Sequence, residues 1–218
     1  MIRVRLAHEP PAFDKQVRRP GLDAIAELVG ERPAIARPGP RRKKVADRRD
    51  DIPASCFPGF WTHAVDDLLT AYERCCAFLA CYIHPATGVP TVDHMIPKSH
   101  SWDAVYEWSN YRLASHLMNM LKSDSTVFLD PFEIEDGWFG LELVDFQVIL
   151  MNKKLSQADQ DKADRTLRCL NQRPCCQLRM EYVRNYEARE VTFSYLERCS
   201  PFVARELRRQ GCLLPGDA

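Results

Sequence analysis

Thr91-Val92-Asp93-His94-Met95-Ile96-Pro97-Lys98-Ser99 places an apolar approach, an acid–imidazole pair and a terminating proline in one short run. A second polar cluster follows, Trp108-Ser109-Asn110-Tyr111-Arg112-Leu113, and then His116, Asn119 and Lys122. Residues 90–98 and 108–114 read as two short strands joined by a loop, and residues 115–122 as a polar helix. An isolated Asp-His pair is most often a surface feature or a core histidine with a satisfied partner. Here the apolar lead-in, the proline stop and the second cluster set it apart.

Working outward, residues 64–79 carry Val65, Leu68, Leu69, Tyr72, Cys76 and Leu79 mostly at spacings of three and four, one apolar face of a helix. Asp66 and Asp67 stand in its first turn, where the helix dipole favours them. Pro85 and Gly88 mark a turn before the first strand. Downstream, residues 141–151 read as a strand preceded by the turn Asp136-Gly137. The last third is helical. Ser156 with Asp159 forms a capping-box pattern, Pro174 separates one helix from the next, and Ser200-Pro201 reads as the cap and first residue of a third that Gly211 ends.

The central stretch resembles the HNH endonuclease family, whose fold is a ββα-metal finger. Asp93-His94, Asn110 and Asn119-Met120-Leu121-Lys122 stand in the order of the family pattern, and the likeness spans about residues 70–130. Tyr106-Glu107-Trp108-Ser109-Asn110-Tyr111-Arg112-Leu113 and Leu129-Asp130-Pro131-Phe132 also look like a bacterial HNH subgroup. The resemblance implies a metal-dependent phosphodiester hydrolase acting on nucleic acid, with DNA the expected substrate. It makes His94 the general base and Asn110 the residue whose amide holds the loop that positions it. Asp93 and Asn119 become ligands of a divalent ion, Mg²⁺ or Mn²⁺.

The residue types suit that chemistry. A neutral imidazole near pH 7 can take a proton from water. A hard divalent ion prefers oxygen ligands, which an Asp carboxylate and an Asn carbonyl supply. His116 and Asn119 are three apart and share a helical face, so either can be the helix ligand; the family spacing to Lys122 favours Asn119. Lys122, with Lys98 and Arg112, is a candidate phosphate contact. Many HNH proteins carry two Cys pairs around a structural zinc. Here Cys76 and Cys81 stand near the first pair's place with wider spacing, and Ser115 and Met118 fill the second pair's, so no structural zinc is expected.

Charge is balanced overall, 30 Lys and Arg against 30 Asp and Glu, but unevenly spread. Residues 1–50 carry 13 basic against 7 acidic residues and the remainder 17 against 23. The densest run, Arg41-Arg42-Lys43-Lys44, follows Arg37-Pro38-Gly39-Pro40. Residues 1–52 are therefore expected to be an irregular basic arm with one short helix at 22–29. The arm is either a solvated linker or a phosphate contact without sequence specificity. The acidic stretch 130–145, which has no Lys or Arg, is a poor DNA face and either meets a protein partner or is a solvated surface.

Nine cysteines, odd in number and partly adjacent, read as reduced thiols. With no apolar leader and no membrane-spanning run, a cytoplasmic protein without membrane contact is expected. Ala163-Asp164-Arg165-Thr166-Leu167-Arg168-Cys169-Leu170-Asn171, with Leu178 and Arg184, resembles the helical tail of HNH proteins paired with an ATPase in Septu-like and retron-associated antiphage systems. That likeness implies a defence role and an ATPase partner; ordinary helix packing explains the same leucines. The expected architecture is α+β: a basic extension over 1–52, an HNH nuclease domain over 53–151 and a helical region over 152–218. A non-catalytic module on an HNH-like scaffold and a ribonuclease are the rival readings.

Overall fold

The computed structural model describes residues 1–217. Its centre is an antiparallel hairpin of β1 (Pro90–His94) and β2 (Tyr111–Ser115), in register Asp93 to Arg112 and His94 to Tyr111. Helix α3 (His116–Lys122) follows β2 directly, and packs on both strands. Ser115 ends the strand and caps the helix, its hydroxyl accepting from the Met118 amide at 3.4 Å. Both strands are shorter than the sequence suggests. Met95–Ser99 bends away behind Pro97, and Trp108–Asn110 is a 3₁₀ turn whose Asn110 is committed to the loop.

A second antiparallel hairpin, β3 (Phe139–Leu141) with β4 (Val148–Leu150), replaces the single strand expected over 141–151. The chain reverses at 142–147, where the Glu142 carboxylate accepts from the Val144 and Asp145 amides. The architecture is thus a mixture of helices and two small antiparallel sheets. The C-terminal third is α4 (Gln157–Leu170), α5 (Arg173–Glu187), α6 (Phe193–Cys199) and α7 (Pro201–Arg209). Ser156 caps α4 through the Asp159 amide at 3.2 Å. Helix α6 is additional to the sequence expectation. No helix among the described residues is long and apolar enough to cross a membrane.

Two expectations need correction. The first is the helix over 64–79, which stops early: α2 is only Val65–Ala71. Glu73 and Arg74 take left-handed conformations, and residues 75–82 turn back as a tight knuckle closed by Cys76 N–H to Cys81 O at 2.9 Å. Cys76 and Leu79 are buried from this knuckle, so their spacing matched a helix without requiring one.

The second is the irregular arm. Phe13, Val17, Ile25 and Leu28 are buried on one face of a continuous helical segment, a π-type turn over Asp14–Arg18 running into α1 (Arg19–Leu28). Pro20 has no N–H for the preceding turn and its ring crowds the carbonyl four residues back, so a locally widened helix accommodates it. Trp108 donates its indole N–H to Ala7 O at 2.8 Å, and Val4 N–H reaches Pro131 O at 2.9 Å. Residues 1–52 therefore belong to the same core as the hairpin.

Candidate active site

The end of β1, the N-terminal turns of residues 54–61 and the end of α3 surround a cavity of about 240 Å³. Asp93, His94, Lys98 and Asn119 line it, and so do Trp61 and Asp124.

His94 is buried, and its Nε2 lies 3.0 Å from the carbonyl oxygen of Val105. A carbonyl only accepts, so Nε2 carries the proton and Nδ1 keeps its lone pair. The Trp61 ring meets the imidazole edge-on at 5.0 Å and Tyr111 does so at 5.2 Å. Burial, with Lys98 and Lys122 nearby, depresses the imidazole pKa to about 3, and the ring is neutral across the physiological range.

Asp93 is also buried, and Lys122 Nζ sits 3.3 Å from Oδ1 and 3.1 Å from Oδ2. The contact to Oδ2 is an ion-pair distance off the hydrogen-bonding direction, and this oxygen has no hydrogen-bond donor. Burial raises the carboxyl pKa to about 6 against the opposing pull of Lys122 and Arg112. Asn119 donates through Nδ2 to Thr91 Oγ1 at 3.2 Å and Val92 O at 3.4 Å. Because Val92 O can only accept, the amide orientation is fixed, and Oδ1 is left as an acceptor without a protein donor among the described residues.

Asn110 is the clasp of the long hairpin loop. Its Nδ2 donates to Ile96 O at 3.0 Å and Ala104 O at 2.9 Å, its Oδ1 accepts from Ile96 N at 2.7 Å, and its own carbonyl accepts from Met95 N at 2.9 Å. Both ends of the loop are thereby tied together next to Val105, the residue that fixes the His94 tautomer.

Several expected contacts fall elsewhere. Lys122 is wholly buried, with its ammonium on Asp93 and on His94 O at 2.8 Å; it has no route to a phosphate. Arg112 is equally withdrawn. Its guanidinium grips Asp130 through two nitrogens, donates to Ser109 O and Tyr111 O, and lies 3.5 Å from the Phe132 ring centroid. His116 is exposed at the start of α3 and does not line the cavity. Lys98 does line it, half-buried, with Nζ 4.1 Å from the Trp61 ring centroid and its pKa lowered by burial. In the basic run, Arg42 is committed to the buried Glu27 at 2.9 Å and Lys44 to Asp47 at 2.6 Å, whereas Arg41 and Lys43 are exposed without an ion pair among the described residues.

Sequence reasoning missed Trp61 and Asp124. Trp61 lies far upstream of the motif in a Pro- and Gly-rich stretch with no period to reveal which way it faces. Asp124 follows α3 behind Ser123, whose positive φ of 52° turns the chain at the cavity rim.

The donor types suit a hard divalent ion: a buried carboxylate oxygen of Asp93 without a hydrogen-bond donor, and the Asn119 amide oxygen, on two residues that line the same cavity. Among the described residues no three His, Cys, Asp or Glu side chains cluster as a ready-made metal cage. An ion here would take most of its shell from water and substrate, which is how Mg²⁺ is commonly held. Cys76 and Cys81 are buried thiols whose pKa values burial raises. Comparisons with family models, with curated proteins and with solved structures gave no match to this chain.

Proposed function

We propose that the protein is an HNH-type endonuclease that hydrolyses phosphodiester bonds, in DNA, with one divalent metal ion. The observation that carries this reading is that His94, neutral and with a fixed tautomer, lines one cavity together with Asp93 and Asn119. In it Asp93 and Asn119 would hold the ion. When bound, the ion would neutralise charge on the scissile phosphate and stabilise the departing oxygen.

The chain's own contribution is positional and basic. Val105 O holds the Nε2 proton, so Nδ1 is the atom that accepts a proton from the attacking water. Trp61 and Tyr111 pack the imidazole on two sides and limit its rotation. Asn110 fixes the loop that presents Val105. Lys98, half-exposed on Trp61, is the cation at the cavity mouth that would meet a phosphate. Lys122 holds Asp93 from within and is a structural partner.

A plasmid-relaxation assay with Mg²⁺ or Mn²⁺, run beside a matched RNA, tests the reading. Metal-dependent cleavage lost in His94→Ala supports it; cleavage of neither substrate refutes it, and cleavage of RNA alone makes the protein a ribonuclease. The defence role and an ATPase partner rest only on the likeness of residues 163–171. Ala163, Thr166, Cys169 and Leu170 are buried in the core, so such a partner would meet the outward side of α4, with Asp164 and Arg168.

A further inference from the structure

A cavity of about 630 Å³ lies between α1 and the segment 33–42, beside the candidate active site and separate from it. Its volume is that of a small-ligand pocket. Pro33, Ile35, Pro38 and Phe60 give it apolar and aromatic walls. Lys15, Arg19, Arg37 and Arg42 bring positive charge, Arg19 already paired with Asp14 and Arg37 and Arg42 with Glu27, against the carboxylates of Asp23 and Glu27. Both carboxylates are already used. Asp23 accepts from Ala34 N at 2.7 Å and Ile35 N at 3.3 Å, which shapes the wall; Glu27 accepts from Arg37 at 3.3 Å and Arg42 at 2.9 Å. Lys15 has no ion pair among the described residues.

The cavity therefore suits an anion with a flat apolar body. Its position narrows that chemistry further. Phe60 lines this cavity and its neighbour Trp61 lines the candidate active site. Both rings pack on Tyr106 with centroids 6.1 Å away, so the two cavities share one aromatic wall. We infer that this second cavity binds one unpaired nucleotide of the substrate strand, its base against Phe60 and the prolines and its phosphate toward Lys15. In a closed duplex each base face is covered by its stacked neighbours, so a base can lie against Phe60 only when unstacked, and the site favours single-stranded or frayed nucleic acid over closed duplex. The inference rests on the nuclease reading for its substrate, and its test does not depend on cleavage.

Two neutral substitutions separate base binding from general charge attraction. Ala36→Trp fills the cavity from an exposed position on its wall, and Phe60→Leu removes the aromatic face while keeping an apolar side chain. Fluorescence anisotropy in the presence of a chelator, at fixed salt, would compare a labelled single-stranded oligonucleotide with the blunt duplex of the same sequence. Stacked bases are worth roughly five- to hundredfold in affinity each. Both variants should bind the single strand about tenfold more weakly and the duplex within about twofold of wild type. Unchanged single-strand affinity in both variants, or equal losses on both substrates, overturns the inference. If cleavage is absent but the single-strand-specific loss holds, the nuclease reading fails and the nucleotide site stands. If cleavage occurs with affinities unchanged, the reverse applies.

Discussion

Val105 O accepts from His94 Nε2 at 3.0 Å and from the Tyr111 hydroxyl at 2.9 Å, so a single backbone oxygen sets the protonation of the candidate base. With Nε2 occupied, only Nδ1 can take a proton. His94→Ala should reduce metal-dependent cleavage by about 10²- to 10⁴-fold, the usual range for loss of a general base. Substrate affinity should change little, because the imidazole is buried and offers no charge to a phosphate. Single-turnover cleavage beside a binding isotherm checks this. Retained activity in a folded, metal-supplied variant removes His94 from the mechanism.

Lys122→Met should show how the buried ion pair is balanced. Removing one partner of such a pair typically costs about 3–5 kcal/mol, since the other is left as an unpaired buried charge. The carboxyl of Asp93 is raised to about 6, so it is largely ionised at pH 8 and largely neutral at pH 5. The penalty should accordingly be large at pH 8 and clearly smaller at pH 5. Chemical denaturation at the two pH values measures it; equal penalties would mean that Asp93 does not exchange its proton in that window.

Asp93 and His94 are linked to pH with opposite signs. A carboxyl raised from an ordinary value near 4 to about 6 binds an extra proton in the folded state, so its contribution to stability falls as pH rises through that window. The imidazole lowered to about 3 binds one proton fewer than in the unfolded chain, and its contribution is lost as pH falls below about 6.5. Between about pH 4 and 6 the two slopes cancel. Asp93→Asn should remove one of them, and the variant should lose stability on acidification by about 1 kcal/mol per pH unit relative to wild type. Parallel curves for the two proteins would contradict the assignment.

Gly21 brings α1 against the hairpin loop: a Cβ there would collide with the Tyr106 ring. Helix propensity favours Gly21→Ala by up to about 1 kcal/mol, whereas overpacking a filled site costs about 1–3 kcal/mol. Tyr106 is also held by its hydroxyl to Pro58 O at 2.8 Å and cannot withdraw freely. The substitution should therefore destabilise, seen as a lower melting temperature. A rise would mean that the ring gives way.

The hairpin, its helix and the clustering of Asp93, His94 and Asn119 were legible because two apolar runs, a proline stop and a polar run with His116 and Asn119 on one helical face are local signals. The burial of Lys122 and Arg112 was not. Each is a charge whose partner, Asp93 or Asp130, is remote in sequence, and short-range pattern reads such residues as exposed cations. Likewise the helix expected at 22–29 is only the second half of an apolar face from Phe13 to Leu28, because the π-type turn over Asp14–Arg18 interrupts the regular helical period. The Cys76–Cys81 knuckle mimicked helical spacing, because a tight reversal also returns every third or fourth residue to the core.

Asn110 offers a test in which a near-isosteric change should be worse than a truncation. Its amide donates to two carbonyls, Ile96 O and Ala104 O, and accepts from Ile96 N. In Asn110→Asp the shape is kept, but an oxygen replaces the donor and faces both carbonyls from a buried position. Asn110→Ala removes the bonds without adding that repulsion, leaving unsatisfied groups worth about 1–3 kcal/mol each. At pH 8 the Asp variant should be the less stable of the two. On acidification its carboxyl takes a proton and regains one donor, so its stability should recover as pH falls toward 5, while that of the Ala variant should show no such recovery. Catalysis gives an independent readout. Ala104 precedes Val105, so a loosened clasp should misplace the acceptor of the His94 proton, lowering kcat by tenfold or more with KM nearly unchanged. An Asp variant as stable and active as wild type at pH 8 would show that the clasp does not govern the base, and loss confined to KM would place Asn110 in substrate binding instead.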